Sequence, residues 1–218
     1  SLRPEVFSRL AQRSEIDSVL SSLDFVSRLG FQDFKIDTVV VRGINDGEVV
    51  ELTRFAGGIG AEIRFIEYMD VGGATRWRPE QVVSQEEILE KLRASYGSAQ
   101  PVAGRGSAPA ERFRLGNGQI VGVVASVTKP FCADCDRLRL TADGQLLLCL
   151  YAKTGLDLRQ ILRSGVGDDE AGSRMAQFWM ERQDQGAVDR TRVRQRSGYV
   201  SIEELRADPR LEMHTRGG

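Results

Sequence analysis

Apolar residues Ile16, Val19, Leu20, Leu23, Val26 and Leu29 recur every three or four positions, which predicts a helix that Gly30 would cap. The period then shortens. Phe34 to Val41 (FKIDTVVV) is rich in β-branched residues and nearly apolar in its second half, the pattern of a buried parallel strand. A turn at Gly43–Gly47, a helix from Glu48 to Phe55 and a strand from Ala61 to Glu67 complete the first segment. Helix, strand, helix, strand with short connections is the grammar of a parallel α/β sheet or barrel. Two strands cannot close a barrel, so this segment reads as the trailing part of one.

The pattern changes between Asp70 and Trp77, where we expect a domain boundary. Residues 1–72 form the first expected domain and 73–218 the second, an α+β domain with antiparallel hairpins. Ser84 and Glu87 have the spacing of a capping box and open a helix running through Leu92. A Gly/Pro/Ser/Ala-rich loop at 98–110 precedes a hairpin, Glu111–Leu115 against Gln119–Thr128 around Gly116-Asn117-Gly118. A second hairpin spans Arg137 to Tyr151 around Asp143-Gly144. Helices follow near Leu156–Arg163 and Asp168–Arg182. From Gln183 the chain is polar and Arg-rich, with Tyr199–Leu205 a short structured stretch. There is no internal repeat.

Composition narrows the function classes. The 218 residues are 41% hydrophobic and 28% charged, the profile of a soluble globular protein. A formal net charge of -1 gives no general reason to expect nucleic acid or an anionic membrane as partner. No stretch approaches the roughly 18–20 uncharged apolar residues of a membrane span. The start at Ser1, with neither initiator methionine nor signal pattern, reads as a piece of a longer cytoplasmic protein.

Three cysteines, an odd number, argue against a disulfide framework. Cys132-Ala-Asp-Cys135 is a C-x2-C pair, and Cys149 follows after thirteen intervening residues. Two thiolates on one loop, with a third returned by a hairpin, suit zinc or an iron–sulfur cluster. A trio of free core cysteines is the bland alternative. A thioredoxin-like pair fits less well, because the C-x2-C does not open a helix after a strand. Structural zinc wants four protein ligands, and the only histidine, His214, is distant in sequence. The missing fourth ligand favours a three-cysteine [4Fe–4S] cluster with one iron open to a substrate atom.

Arg137 and Arg139 follow directly. On a strand they share a face, and two guanidinium forks beside a metal site suit a phosphate or another anion. A solvated, salt-bridged face is the alternative. Lys35 opens an apolar strand and Arg64 sits mid-strand between Ile63 and Phe65. Charges there must be paired, for which Asp37, Glu62 and Glu67 are available, or must face a functional cavity.

The run from Ser126 through Cys132, Cys135, Arg137, Arg139 and Cys149 to Tyr151 closely resembles the C-terminal cluster motif of the GTP 3',8-cyclase family. These are radical S-adenosylmethionine (SAM) enzymes of molybdenum cofactor biosynthesis. Lys35–Asp46, Glu62–Gly72 with Trp77, and the terminal Gly217-Gly218 are similar to further segments of that family. The resemblance implies an incomplete radical-SAM TIM-like barrel followed by an iron–sulfur domain. It implies that Cys132, Cys135 and Cys149 hold a [4Fe–4S] cluster whose open iron meets the guanine of GTP. Arg137, Arg139, Lys35 and Arg64 match GTP-site residues. Met69 matches a residue near SAM. Asp37 stands where the family usually has an asparagine that contacts SAM. Gly217 and Gly218 match a tail that reaches the active site. It further implies GTP as substrate, conversion to 3',8-cyclo-7,8-dihydro-GTP, and hand-off to cyclic pyranopterin monophosphate synthase. SAM and a second [4Fe–4S] cluster belong to the full-length parent. The family's N-terminal C-x3-C-x2-C is absent from this sequence, Arg216 replaces an apolar residue, and Arg182–Arg190 departs from the family's run. A non-catalytic cluster or nucleotide module and a structural zinc domain are the competing readings. The oligomeric state stays open, a homodimer being one alternative.

Overall fold

The structure, a computed structural model, describes residues 1–71 and 77–215. Contacts divide the chain into two compact units: residues 1–68 with 80–129, and 69–79 with 130–218. The division is not the sequential one expected from the pattern change near residue 72. The reason lies in strand pairing.

In the first unit, strands β1 (Lys35–Val40) and β2 (Glu62–Glu67) pair in parallel from Lys35↔Glu62 to Val40↔Glu67. The first predicted hairpin, β4 (Glu111–Leu115) and β5 (Ile120–Val124), does not stand apart. Strand β5 pairs in parallel with β2 and antiparallel with β4, and the short β3 (Ala99–Pro101) adds to β4. The order β1-β2-β5-β4-β3 makes one mixed sheet, which pulls residues 80–129 into the first unit. Its central strands have little choice. Val121 and Val123 of β5, with Ile63 and Phe65 of β2, are buried against Leu52, Ile88 and Leu92. Leu52 lies on helix α3 (Val49–Gly58), and Ile88 and Leu92 on α4 (Gln85–Tyr96). The predicted capping box opens α4, with Ser84 accepting from the Glu87 N–H and Glu87 bonding back to Ser84.

Strand β1 is parallel as expected, yet it is not buried on both faces. It lies at the edge of the described sheet, with Lys35, Asp37 and Val39 exposed. Helices α1 (Pro4–Ala11) and α2 (Ile16–Arg28) precede it, and Val19, Phe25, Leu29 and Phe31 are also exposed.

In the second unit, β6 (Arg139–Leu140), β7 (Gln145–Leu147) and β8 (Leu156–Asp157) form a separate antiparallel sheet. Helices α5 (Leu158–Arg163), α6 (Asp168–Met180), α7 (Gly186–Thr191) and α8 (Ile202–Ala207) follow. A capping box of Ser201 and Glu204 opens α8 inside the predicted structured stretch. No helix among the described residues is long and apolar enough to cross a membrane.

Gly155 marks the tightest approach in this sheet. A Cβ there would lie 2.2 Å from the Leu146 carbonyl oxygen and 2.7 Å from Leu147 Cδ2. Because one obstacle is backbone, Gly155→Ala will lower stability by about 1–3 kcal/mol. By contrast Gly172 in α6 has open space, and Gly172→Ala will raise stability by about 0.5–1 kcal/mol. Urea midpoints of the two variants check both signs.

Candidate cysteine and arginine site

All three cysteines are free and partly exposed, and all belong to the second unit. Cys132 opens a short 3-10 turn (Cys132–Asp134), and Cys135 ends it with extended backbone, its N–H donating to the Cys132 carbonyl. The pairs Arg139↔Leu147 and Leu140↔Leu146 close the β6–β7 hairpin and leave Arg137 and Cys149 two residues beyond its last pair. Chain reversal of this hairpin, legible from Asp143-Gly144, is what returns the third thiol toward the end that carries the C-x2-C. Gly144 occupies the turn at φ 88°, where a side chain would be strained. Among the described residues, no three His, Cys, Asp or Glu side chains gather closely enough to hold a single metal ion.

Arg137 is exposed, its guanidinium 5.0 Å from the Phe131 ring centre, and Arg139 is half-buried within β6. A further arginine, with no signal in the sequence pattern, stands beside Cys135. Arg182, just past α6, donates to the Cys135 carbonyl oxygen. Burial pushes the Cys135 thiol up, but hydrogen bonds from Arg182 and then Arg137 outweigh it, drawing the pKa down from 9.0 to about 7. Alkylation of Cys135 in the metal-free chain will therefore rise through pH about 7. Arg182→Met will move that midpoint upward, as peptide mass spectrometry across a pH series can read.

Cys149 is confined differently. The Tyr151 N–H lies 3.4 Å from its Sγ as a donor. A Cβ at Gly186 would meet Tyr151 Cβ at 2.6 Å and Cys149 Sγ at 3.0 Å, so α7 can begin there only on glycine. A cavity of 240 Å³ adjoins it, lined by Cys149, Tyr151, residues 183–186, Asp189, Arg190 and Tyr199.

The same unit contains a buried charge network. Asp70, fully buried, accepts from Tyr151 Oη at 2.7 Å, Arg190 Nε at 2.7 Å and Arg196 Nε at 2.8 Å. Burial alone would raise the Asp70 pKa, yet the bonds from Arg196, Tyr151 and Arg190 hold it below the ordinary carboxylate value. The same burial, with the Asp70 charge, pushes the Tyr151 phenol up, so it stays a donor. The local sequence offers one weak cue to this cluster, an aspartate three residues past the end of β2.

Of the remaining candidates, Lys35, Asp37 and Arg64 belong to the first unit. Lys35 and Asp37 are exposed on β1, opposite Glu62 and Arg64 in register. Arg64 is half-buried on β2 and paired with Glu62 at 2.9 Å, which Arg112 also engages at 2.8 Å. Gly122 faces Arg64 across the register, and a Cβ there would lie 2.9 Å from Arg64 Cγ. Met69 is half-buried at the start of the second unit. Gly217 and Gly218, with Arg216 and Gly72, lie outside the described residues.

A mixed α/β sheet in one unit, and thiols and arginines on and flanking one hairpin in the other, define a class that comparison with known families makes specific. The family model described as Molybdenum Cofactor Synthesis C matches residues 61–188, more than half of the chain, and the chain belongs to that family. Curated relatives are particular members. The chain is 47% identical over 218 residues to "GTP 3',8-cyclase 1" of Mycobacterium tuberculosis (strain ATCC 25618 / H37Rv), covering 100% of this chain and 61% of the relative. It is 44% identical over 218 residues to "GTP 3',8-cyclase 3" of Mycobacterium bovis, covering 58% of that protein. To "GTP 3',8-cyclase" of Acidothermus cellulolyticus it is 41% identical over 194 residues, 84% of this chain and 52% of the relative. The chain thus spans between about half and three-fifths of these relatives' lengths.

Proposed function

We propose that this chain forms the nucleotide-binding and second-cluster portion of a GTP 3',8-cyclase, which converts GTP to 3',8-cyclo-7,8-dihydro-GTP for molybdenum cofactor synthesis. One observation carries the reading. Cys132, Cys135 and Cys149 bracket Arg137 and Arg139 in a chain 47% identical along its whole length to a relative bearing that name. The donor set suits the implied [4Fe–4S] cluster: three free thiols, each partly exposed, one already drawn toward thiolate. Three cysteines and one histidine distant in sequence are a poor match for a four-ligand structural zinc, whereas three thiolates can hold a [4Fe–4S] cluster. When bound, such a cluster supplies an iron without a protein ligand, free to take a purine nitrogen or oxygen.

The protein's own groups do the rest. Arg137 and Arg139 bind the anionic substrate through their planar forks. Lys35 and Arg64 serve the same nucleotide in the complete enzyme. Arg64 can turn from Glu62 to a phosphate without stranding that carboxylate, because Arg112 holds it as well. Met69 and Asp37 contact SAM, whose cleaving cluster belongs to the longer parent, and the Gly217-Gly218 tail reaches the site. The product passes to cyclic pyranopterin monophosphate synthase. Strand β1 and the exposed Val19, Phe25, Leu29, Phe31 and Val39 support an incomplete barrel, since a further parallel strand and helix would cover them.

The test is anaerobic reconstitution with iron and sulfide, then iron and zinc per chain and electron paramagnetic resonance with and without GTP. About four irons, with a reduced-cluster signal that GTP perturbs, is the expected result. One zinc per chain and no response to GTP would overturn the reading in favour of a structural domain.

A further inference from the structure

We propose that Asp70 is the positioning residue for Cys149, holding the walls of the cavity beside this thiol in place. The argument starts from where its bonds end. Asp70 takes the Tyr151 hydroxyl on Oδ1 and Arg190 Nε on Oδ2, while its main-chain carbonyl accepts the Tyr199 N–H at 2.6 Å. Tyr151, Arg190 and Tyr199 are three of the residues that line the cavity with Cys149. A single buried aspartate therefore ties down three separate parts of its wall.

The ties then reach the thiol itself. Tyr199 Oη donates to the Tyr151 carbonyl at 2.5 Å, and the two rings meet edge to face, 5.0 Å between centres. Tyr151 is thus gripped at its hydroxyl and its carbonyl. Its N–H, the remaining polar group, donates to Cys149 Sγ. Moving Tyr151 must move the donor that faces the sulfur. Arg196 completes the clamp with Nε and Nη2 on both Asp70 oxygens, and its guanidinium stacks 5.2 Å from the Trp77 ring centre. With two guanidinium groups and a phenol as partners, the carboxylate has no unpaired lone pair left to relax toward.

A buried ion network with no bearing on the thiol would make a different prediction, and the difference is measurable. Asp70→Asn keeps the shape of the side chain but gives up its charge and one acceptor. Tyr151→Phe removes only the hydroxyl and keeps the ring. Both are compared with the parent 218-residue chain, metal-free and anaerobic, at a temperature where circular dichroism reports it folded. Each cysteine's iodoacetamide labelling rate is read by peptide mass spectrometry.

Loss of one or more hydrogen bonds in the clamp will raise Cys149 labelling by about threefold or more relative to Cys132. A smaller change in every variant that folds would overturn the proposal and leave Asp70 a stability element alone. Should Asp70→Asn not fold, Tyr151→Phe decides. Cys149 acting as a cluster ligand rests on the function proposed above, but labelling needs no iron. Failure of iron uptake by the parent chain would count against that function and leave this comparison readable.

Discussion

Glu67→Ala will lower stability by about 3–5 kcal/mol, a large share of the 5–15 kcal/mol that holds a typical domain together. Glu67 ends β2 with its carboxylate fully buried. The Gln85 N–H at 2.9 Å, the Val127 N–H at 2.8 Å, the Thr128 N–H at 2.7 Å and the Thr128 hydroxyl all donate to it. Gln85 is the first residue of α4, so its N–H has no partner within the helix and the carboxylate also meets the positive end of the helix dipole. Val127 and Thr128 lie just past β5. One side chain thus fixes the ends of two parallel strands and the start of a helix. Truncation leaves two buried donors, the Gln85 and Val127 N–H groups, and two part-buried ones on Thr128 without their acceptor, and each buried loss costs about 1–3 kcal/mol before the site relaxes. Glu67→Gln keeps one good acceptor and will lose less, about 1–3 kcal/mol. Urea unfolding of the two variants decides; a loss under about 1 kcal/mol for alanine would contradict the role of these four bonds.

The second large effect separates metal from nucleotide. Cys149→Ala will reduce reconstituted iron from about four to less than about one per chain, because a cluster left with two thiolates is poorly held. The double replacement of Arg137 and Arg139 by alanine will keep that iron while weakening GTP by about 100-fold or more, as expected for two lost charge-assisted contacts. Iron analysis and the GTP-dependent resonance signal read the two variants side by side. If the arginine variant lost iron as well, those arginines would be holding the hairpin rather than a nucleotide. If Cys149→Ala retained four irons, the third ligand would have to be sought elsewhere.

What was local was legible. The Ser84–Glu87 box, the period of Ala61–Glu67 and the turn at Asp143-Gly144 each depend on residues within a few positions, and each appears where expected. The hairpin that returns Cys149 toward the end carrying the C-x2-C is legible for the same reason, since chain reversal is itself a local event. The burial of β1 was overestimated because an apolar run records what a strand can tolerate, whereas its place at the sheet edge depends on its neighbours. Pairing of β5 with β2 joined segments the sequence pattern had assigned to different domains.

The charges divide along the same line. Sequence offered Arg64 three partners, Asp37, Glu62 and Glu67, and only packing made Glu62 the partner while committing Glu67 to main-chain donors. Asp70 is the extreme case, with partners 81, 120 and 126 residues away. By itself the sequence determined the thiols, the arginines and the elements that carry them, because spacing and periodicity act over a turn or two. Which buried charges meet, and so what holds Cys149 in its setting, was decided only by tertiary structure. A buried carboxylate is stable only where distant donors converge, and no local pattern records that convergence.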